Sequence, residues 1–242
     1  AASDRYGRVA AAVHNGKAFM EGGEGEGGDA FQKAGGASPY PEVKAVESNP
    51  FAARRAALGL VMMLTAPGVP MFLQGQELCD VRPFKWPRGP GMDWARAAQP
   101  AGQARAWNQL CRELIKLRLS GGQRPGPLLG DGLHVYHNLG GVIAYLRWME
   151  ARDSRDTEVN GVDVALVVVN CTNNSYPNYE LGVPPSQVWK LELNTDAILR
   201  ANGNPVPVVH LSADKGKGNS GFPSILNICL QPYSATILTK HS

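Results

Sequence analysis

The sequence predicts an α/β segment followed by an all-β antiparallel sandwich. Three observations carry that prediction. Residues 51–65 are a nearly unbroken run of helix formers, followed four residues later by a short apolar run at 69–73. Residues 103–119 repeat apolar side chains at helical spacing. After Gly121 and Gly122 the pattern changes to short alternating runs separated by Gly, Pro and Asn.

A chain of 242 residues holds one large domain or two modest ones, and 43% hydrophobic residues are enough for a sizeable core. The apolar run at residues 9–13 reads as a short buried strand. Residues 21–41 are Gly-rich, acidic and free of periodicity, and read as a long loop. A phosphate cradle is excluded there, because the glycines alternate with glutamates that would repel phosphate. Asn49 and Pro50 supply an N-cap and a first-turn proline for the 51–65 helix, and Pro67-Gly68 stops it. Little past Arg55 is polar, so that helix should be buried on most faces. The run VPMFL at 69–73 fits a parallel strand covered on both sides. Helix then strand is half of a βαβ repeat.

Residues 78–102 form a long loop rich in Pro, Gly and Trp, a length often tied to function. In the 103–119 helix, Trp107, Leu110, Cys111, Leu114 and Leu117 share one face, and Arg112, Glu113 and Lys116 the other. Segments 133–138 and 142–148 flank a Leu-Gly-Gly turn and suggest a hairpin. Further strands are expected at 165–171, 188–194, 208–212, 225–230 and 234–240. The boundary falls near 121–131, giving segments 1–122 and 123–242.

The charge of +3 is scattered; its tightest clusters are Arg54-Arg55 and the Lys215/Lys217 loop. Neither makes the basic stripe that a nucleic-acid or membrane partner requires. The four cysteines lie far apart without C-x-x-C spacing, so neither a zinc site nor a disulfide framework is expected. Cys111 and Cys229 fall in apolar runs and read as small buried hydrophobes. No metal or cofactor is expected. The sequons at Asn170 and Asn173 carry little meaning without a signal peptide. The N-terminus shows no h-region, and no stretch of about 18 apolar residues occurs. Cytoplasm or plastid is expected over secretion, and the start AASDRYGRV reads as a processed or truncated piece.

The string ARRAALGLVMMLTAPGVPMFLQGQEL resembles the penultimate helix and last strand of the (β/α)8 barrel in the α-amylase superfamily. The matching residues are Thr65, Pro67, Gly68, Pro70, Gly75, Gln76 and Glu77. The Gly-Gln-Glu form and MDWARA at 92–97 look most like branching-enzyme-type members. The helix ending LIKLRL takes the place of the eighth barrel helix. HVYHNLGGVIAYLRW, LVVVNCTNNSY and LQPYSATIL look like the β domain that follows the barrel. The resemblance runs from about residue 50 to residue 240.

It implies the tail of a barrel whose site lies at the strand C-termini, and a retaining mechanism with one carboxylate as nucleophile and another as acid/base. By the same resemblance those two residues sit on earlier strands than this chain holds, so it should be inactive alone. The implied ligand is an α-glucan: starch, glycogen or a maltooligosaccharide. A second implied partner is the missing N-terminal part of the barrel. The sugar-binding His-Asp motif of the seventh strand should fall in GRVAAAVHNGK. It aligns either on Ala10 and Ala11 or, slipped, on His14 and Asn15; Glu47-Ser48-Asn49 is a third candidate. None supplies the aspartate. Candidate substrate contacts are thus His14, Asn15, Gln76, Glu77, Trp86 and Trp94, and Asp80 and Asp93 are the other acidic groups of that loop. Glu77 also reads as a structural residue that holds the strand-end loop, and Trp86 and Trp94 as ring platforms or loop packing. Two non-enzymatic readings stand beside this one. The β domain could bind glucan through Trp148, Trp189, Tyr176 and Tyr179, or the chain could be a structural remnant that pairs with another chain through exposed apolar flanks.

Overall fold

The computed structural model describes residues 49–80, 94–99, 102–119, 126–149, 164–185, 188–201, 209–215 and 221–240. The expected strand at 9–13, the Gly-rich segment, His14, Asn15, Trp86 and Asp93 lie outside the described residues, as do boundary residues 121–125.

Helix α1 spans Pro50–Thr65. The Asn49 side chain accepts from the backbone N–H of Phe51 at 3.0 Å and of Ala52 at 3.3 Å. Two of the donors that a helix start leaves open are thereby satisfied. Ala66 takes an extended ψ of 154° ahead of Pro67, as a residue before proline prefers, and the helix ends. Helix α2 is the single turn Trp94–Ala97, and α3 spans Gln103–Leu119. Trp107, Leu110, Cys111 and Leu114 are buried along one stripe of α3, as its periodicity requires.

Residues 69–73 are not a strand. They run as irregular chain, with Val69 97% and Met71 86% exposed. A strand exists only through hydrogen bonds to a neighbour, and no strand among the described residues lies alongside this one. An apolar run gives the burial preference of a strand but not its partner.

The β domain holds eight strands: β1 Gly132–Leu139, β2 Val142–Trp148, β3 Val164–Asn170, β4 Tyr176–Val183, β5 Val188–Asn194, β6 Val209–Lys215, β7 Ser224–Leu230 and β8 Ser234–Lys240. A short helix, α4, spans Thr195–Arg200 between β5 and β6. The order across the sheet is β1-β2-β3-β8-β5-β6-β7-β4, and every pairing is antiparallel. β4 and α4 were not expected from sequence.

The sheet folds over itself. Leu181, Val183, Leu226, Ile228 and Leu230 of β4 and β7 pack against Ala144, Leu146, Leu166, Val168 and Leu238 of the central strands. The alternate residues of the same strands, Tyr145, Val167, Val169, Ala235 and Ile237, face α1 and α3. β3 is therefore covered on both faces, and all of Ala165, Leu166, Val167, Val168 and Val169 are fully buried. The result is three layers: helices, the main sheet, and the β4/β7 flap. Cys229 corrects its expected burial. It is exposed, because β7 alternates and its neighbours Ile228 and Leu230 take the core face.

Polar contacts fasten the helices to the sheet. Thr65 donates its hydroxyl to the Val61 carbonyl at 2.7 Å, so the Tyr145 hydroxyl, 2.6 Å away, donates to Thr65. Asp196, 2% exposed at the start of α4, pairs with Arg54 of α1 at 2.8 Å and with Arg200 at 2.5 Å.

Candidate functional site

The Gly-Gln-Glu turn follows the irregular stretch. Gly75 sits at φ 93°, a conformation that favours glycine, and a short 3₁₀ turn follows at Gln76–Leu78. Gln76 Oε1 accepts from the Leu73 N–H at 2.7 Å, and Glu77 Oε2 accepts from the Gly75 N–H at 2.6 Å. Trp107 of α3 donates its indole N–H to the Gln76 carbonyl, and Asn108 Nδ2 approaches the Glu77 carbonyl at 3.4 Å. Both side chains are thus engaged in holding their own turn against α3. Beneath the turn, burial first, and the proximity of Glu77 and Cys79 second, push the Cys111 thiol up to about 12. It is a core residue without nucleophilic character at neutral pH.

Arg118, near the end of α3, closes the other side of the segment. One terminal nitrogen donates to the Leu64 and Ala66 carbonyls at 2.6 and 2.9 Å, and the second to the Gly68 carbonyl at 2.5 Å. The unsatisfied carbonyls at the end of α1 are met by a charged donor. The Thr-Ala-Pro-Gly turn is held by this fork. Beside it lies an open apolar groove of about 320 Å³, lined by Leu64, Val69, Phe72, Ile115, Leu119 and Leu129 among others.

Gln76 and Glu77 are brought together in this turn. Trp94 opens α2 and stands 63% exposed. His14, Asn15 and Trp86 lie outside the described residues. Asp80 is buried at the end of the turn. Among the described residues no group of three His, Cys, Asp or Glu side chains could hold a metal ion, and no helix is long and apolar enough to cross a membrane.

The four aromatics expected as a glucan surface divide. Trp189 is fully buried in the sandwich and cannot meet a ligand. Trp148 is clamped against the hairpin base, where a Cβ on Gly132 would collide with its indole. Tyr176 and Tyr179 are half-buried on β4, with their rings in contact. His137 joins them through Tyr179, Phe222 packs on the neighbouring Tyr136, and no sequence signal marked either one.

A family model described as the α-amylase C-terminal all-beta domain matches residues 134–241. These residues are an α-amylase C-terminal domain. The chain is 30% identical over 214 residues to the 1,4-alpha-glucan branching enzyme GlgB of Cupriavidus necator, covering 84% of this chain and 26% of that protein. It is 28% identical over 188 residues to GlgB of Dechloromonas aromatica, covering 75% of this chain and 27% of that one. The debranching enzyme of Nostoc punctiforme superposes with a TM-score of 0.47 at 16% identity, over 81% of this chain and 32% of that chain. The chain spans about a quarter of the length of the curated relatives it matches. With this α-amylase-family domain in place, the packing of α1 and α3 becomes informative. They cover the outer face of its sheet, and the similarity to GlgB, at 84% of the chain, extends N-terminally past the domain into them.

Proposed function

We propose that this chain contributes the C-terminal portion of an α-glucan-active enzyme of branching-enzyme type. In this reading residues 1–122 belong to the end of a (β/α)8 barrel, with α1 and α3 as its last two helices and the irregular run 69–73 in the place of the strand between them. Residues 123–242 are the C-terminal β domain. The observation that carries the reading is an ordered one. A capped helix, a Thr-Ala-Pro-Gly turn held by Arg118, a Gly-Gln-Glu turn held by Trp107, and then the matched domain follow in one chain.

The chemistry of such an enzyme needs two carboxyl groups about 5 Å apart, one ionised and one protonated. In this reading they come from barrel strands preceding these residues, and the chain is inert without them. Gln76 and Glu77 shape the rim of the site through their own turn. The exposure of Val69 and Met71 supports the same reading, since a strand buried between two barrel neighbours would need those apolar side chains. Starch, glycogen or a maltooligosaccharide is the ligand.

The test is the transcript upstream of the Ala1 codon. An in-frame extension with an Asp and a Glu at the ends of two successive barrel strands is expected. An upstream reading frame without a barrel contradicts the proposal.

A further inference from the structure

The two outermost strands, β1 and β4, are irregular where they approach one another. The β1 register slips between Val135 and His137, leaving Tyr136 as the extra residue; the β4 register slips between Tyr176 and Tyr179, across Pro177 and Asn178. A bulge re-aims the side chains around it. Residues three apart on a regular strand face opposite sides. Here the Tyr176 and Tyr179 rings meet edge to face at 5.3 Å. His137 reaches them from β1, its Nε2 2.7 Å from the Tyr179 hydroxyl and its ring 5.8 Å from the Tyr179 ring. Tyr136 packs edge-on against Phe222 at 4.8 Å and closes the seam beside them.

A polar loop stands next to the rings, and it is fixed. Asn170, fully buried, donates Nδ2 to the carbonyls of Asn174 at 2.8 Å and Gln231 at 2.9 Å. Its Oδ1 accepts from the Thr172 N–H at 3.0 Å and hydroxyl at 2.7 Å. Thr172 Oγ1 in turn accepts from the Asn174 N–H at 3.2 Å. The exposed Asn174 amide lies 3.5 Å from the Tyr176 hydroxyl.

We propose that Tyr176, Tyr179 and Asn174 form a non-catalytic binding site for an α-glucan chain, positioned by His137 and Asn170. The chemistry of the surface selects the ligand class. Phenol rings offer apolar faces to sugar C–H groups, and the amide and hydroxyls offer donors and acceptors at fixed positions. No lysine or arginine belongs to the group, and the adjacent Glu180 is acidic, so a phosphate or nucleic acid is disfavoured. Burial lowers the His137 pKa, so the histidine is neutral at physiological pH and adds no charge. A preorganised polar loop beside ring faces suits a neutral polyol. The choice of an α-glucan among neutral polyols rests on the enzyme reading above.

Electrophoresis of the full 242-residue chain through gels with and without amylopectin tests the site. The wild type should be retarded by amylopectin. Tyr176→Ala should weaken binding about tenfold, by loss of one ring contact, whereas Tyr176→Trp, which keeps a ring, should stay retarded. Unfolding temperatures are measured for each variant. Should Tyr176→Ala unfold early, Asn174→Ala on the exposed loop replaces it, with about a threefold loss expected for one hydrogen bond. An unretarded wild type overturns the inference, and so does a stable variant retarded as strongly as wild type. Neither result touches the enzyme reading, which the upstream transcript tests on its own.

Discussion

Arg118 shows how one residue holds a turn that sequence alone marks only by its prolines and glycine. Its three donated hydrogen bonds reach carbonyls 50 to 54 positions away, in a site where the side chain is 6% exposed. Hydrogen bonds from a charged donor are strong, and carbonyls left buried without one are costly. Arg118→Met keeps much of the stem packing but removes the fork. It should lower stability by about 2–3 kcal/mol in urea unfolding, and a loss below about 0.5 kcal/mol would show that water replaces the fork freely. The Asn49 cap and the Pro67 stop were legible in the sequence, because each acts within three residues of itself. Arg118 and the Arg54–Asp196 pair were not, since they join segments far apart in the chain.

At the scale of elements, legibility followed regularity. α1, α3 and the strands β1, β2, β3, β5, β6, β7 and β8 show clear periods or apolar runs, and all formed. β4 escaped notice because Pro177 and the bulge break its alternation, and α4 because six residues carry too little pattern. Residues 69–73 erred the other way, apolar but unpaired. Tyr176 and Tyr179 were legible as aromatics, but not their convergence, which depends on the bulge. The same seam carries a pH dependence. Burial holds the His137 pKa below its ordinary 6.5, so the unfolded chain takes up a proton there more readily than the folded one. Its contribution is complete above pH 6.5 and is lost as pH falls from that value through the folded pKa. Wild type should therefore lose more unfolding temperature between pH 7.5 and pH 5.5 than His137→Gln, which cannot titrate. Parallel curves would remove His137 from the balance.

At the scale of the whole molecule, the described strands of the β domain enclose a sealed core, and the described segment before them exposes apolar side chains. Val69, Met71 and Leu119 are exposed beside the apolar groove, whereas the sheet between helices and flap is sealed. Isolated chain should self-associate through that stripe. Light scattering should show large species for the wild type and a shift toward monomer for a Val69→Lys, Met71→Lys double variant. A monodisperse wild-type monomer would mean that the stripe is not sticky. The all-β half was legible in the sequence as strands and turns. How the helices cap its sheet was not, because both faces of β3 are apolar and only packing shows which face meets α1.

The central proposal is that this chain belongs to an α-glucan enzyme whose catalytic carboxylates lie outside these residues. Amylose incubated with the purified 242-residue chain, then assayed for reducing ends and for α-1,6 branch points, tests it most directly. The expected result is amylose with unchanged reducing ends and no branches. New branch points or new ends, lost on denaturing the chain, would contradict the claim and place the reacting carboxylates within these residues.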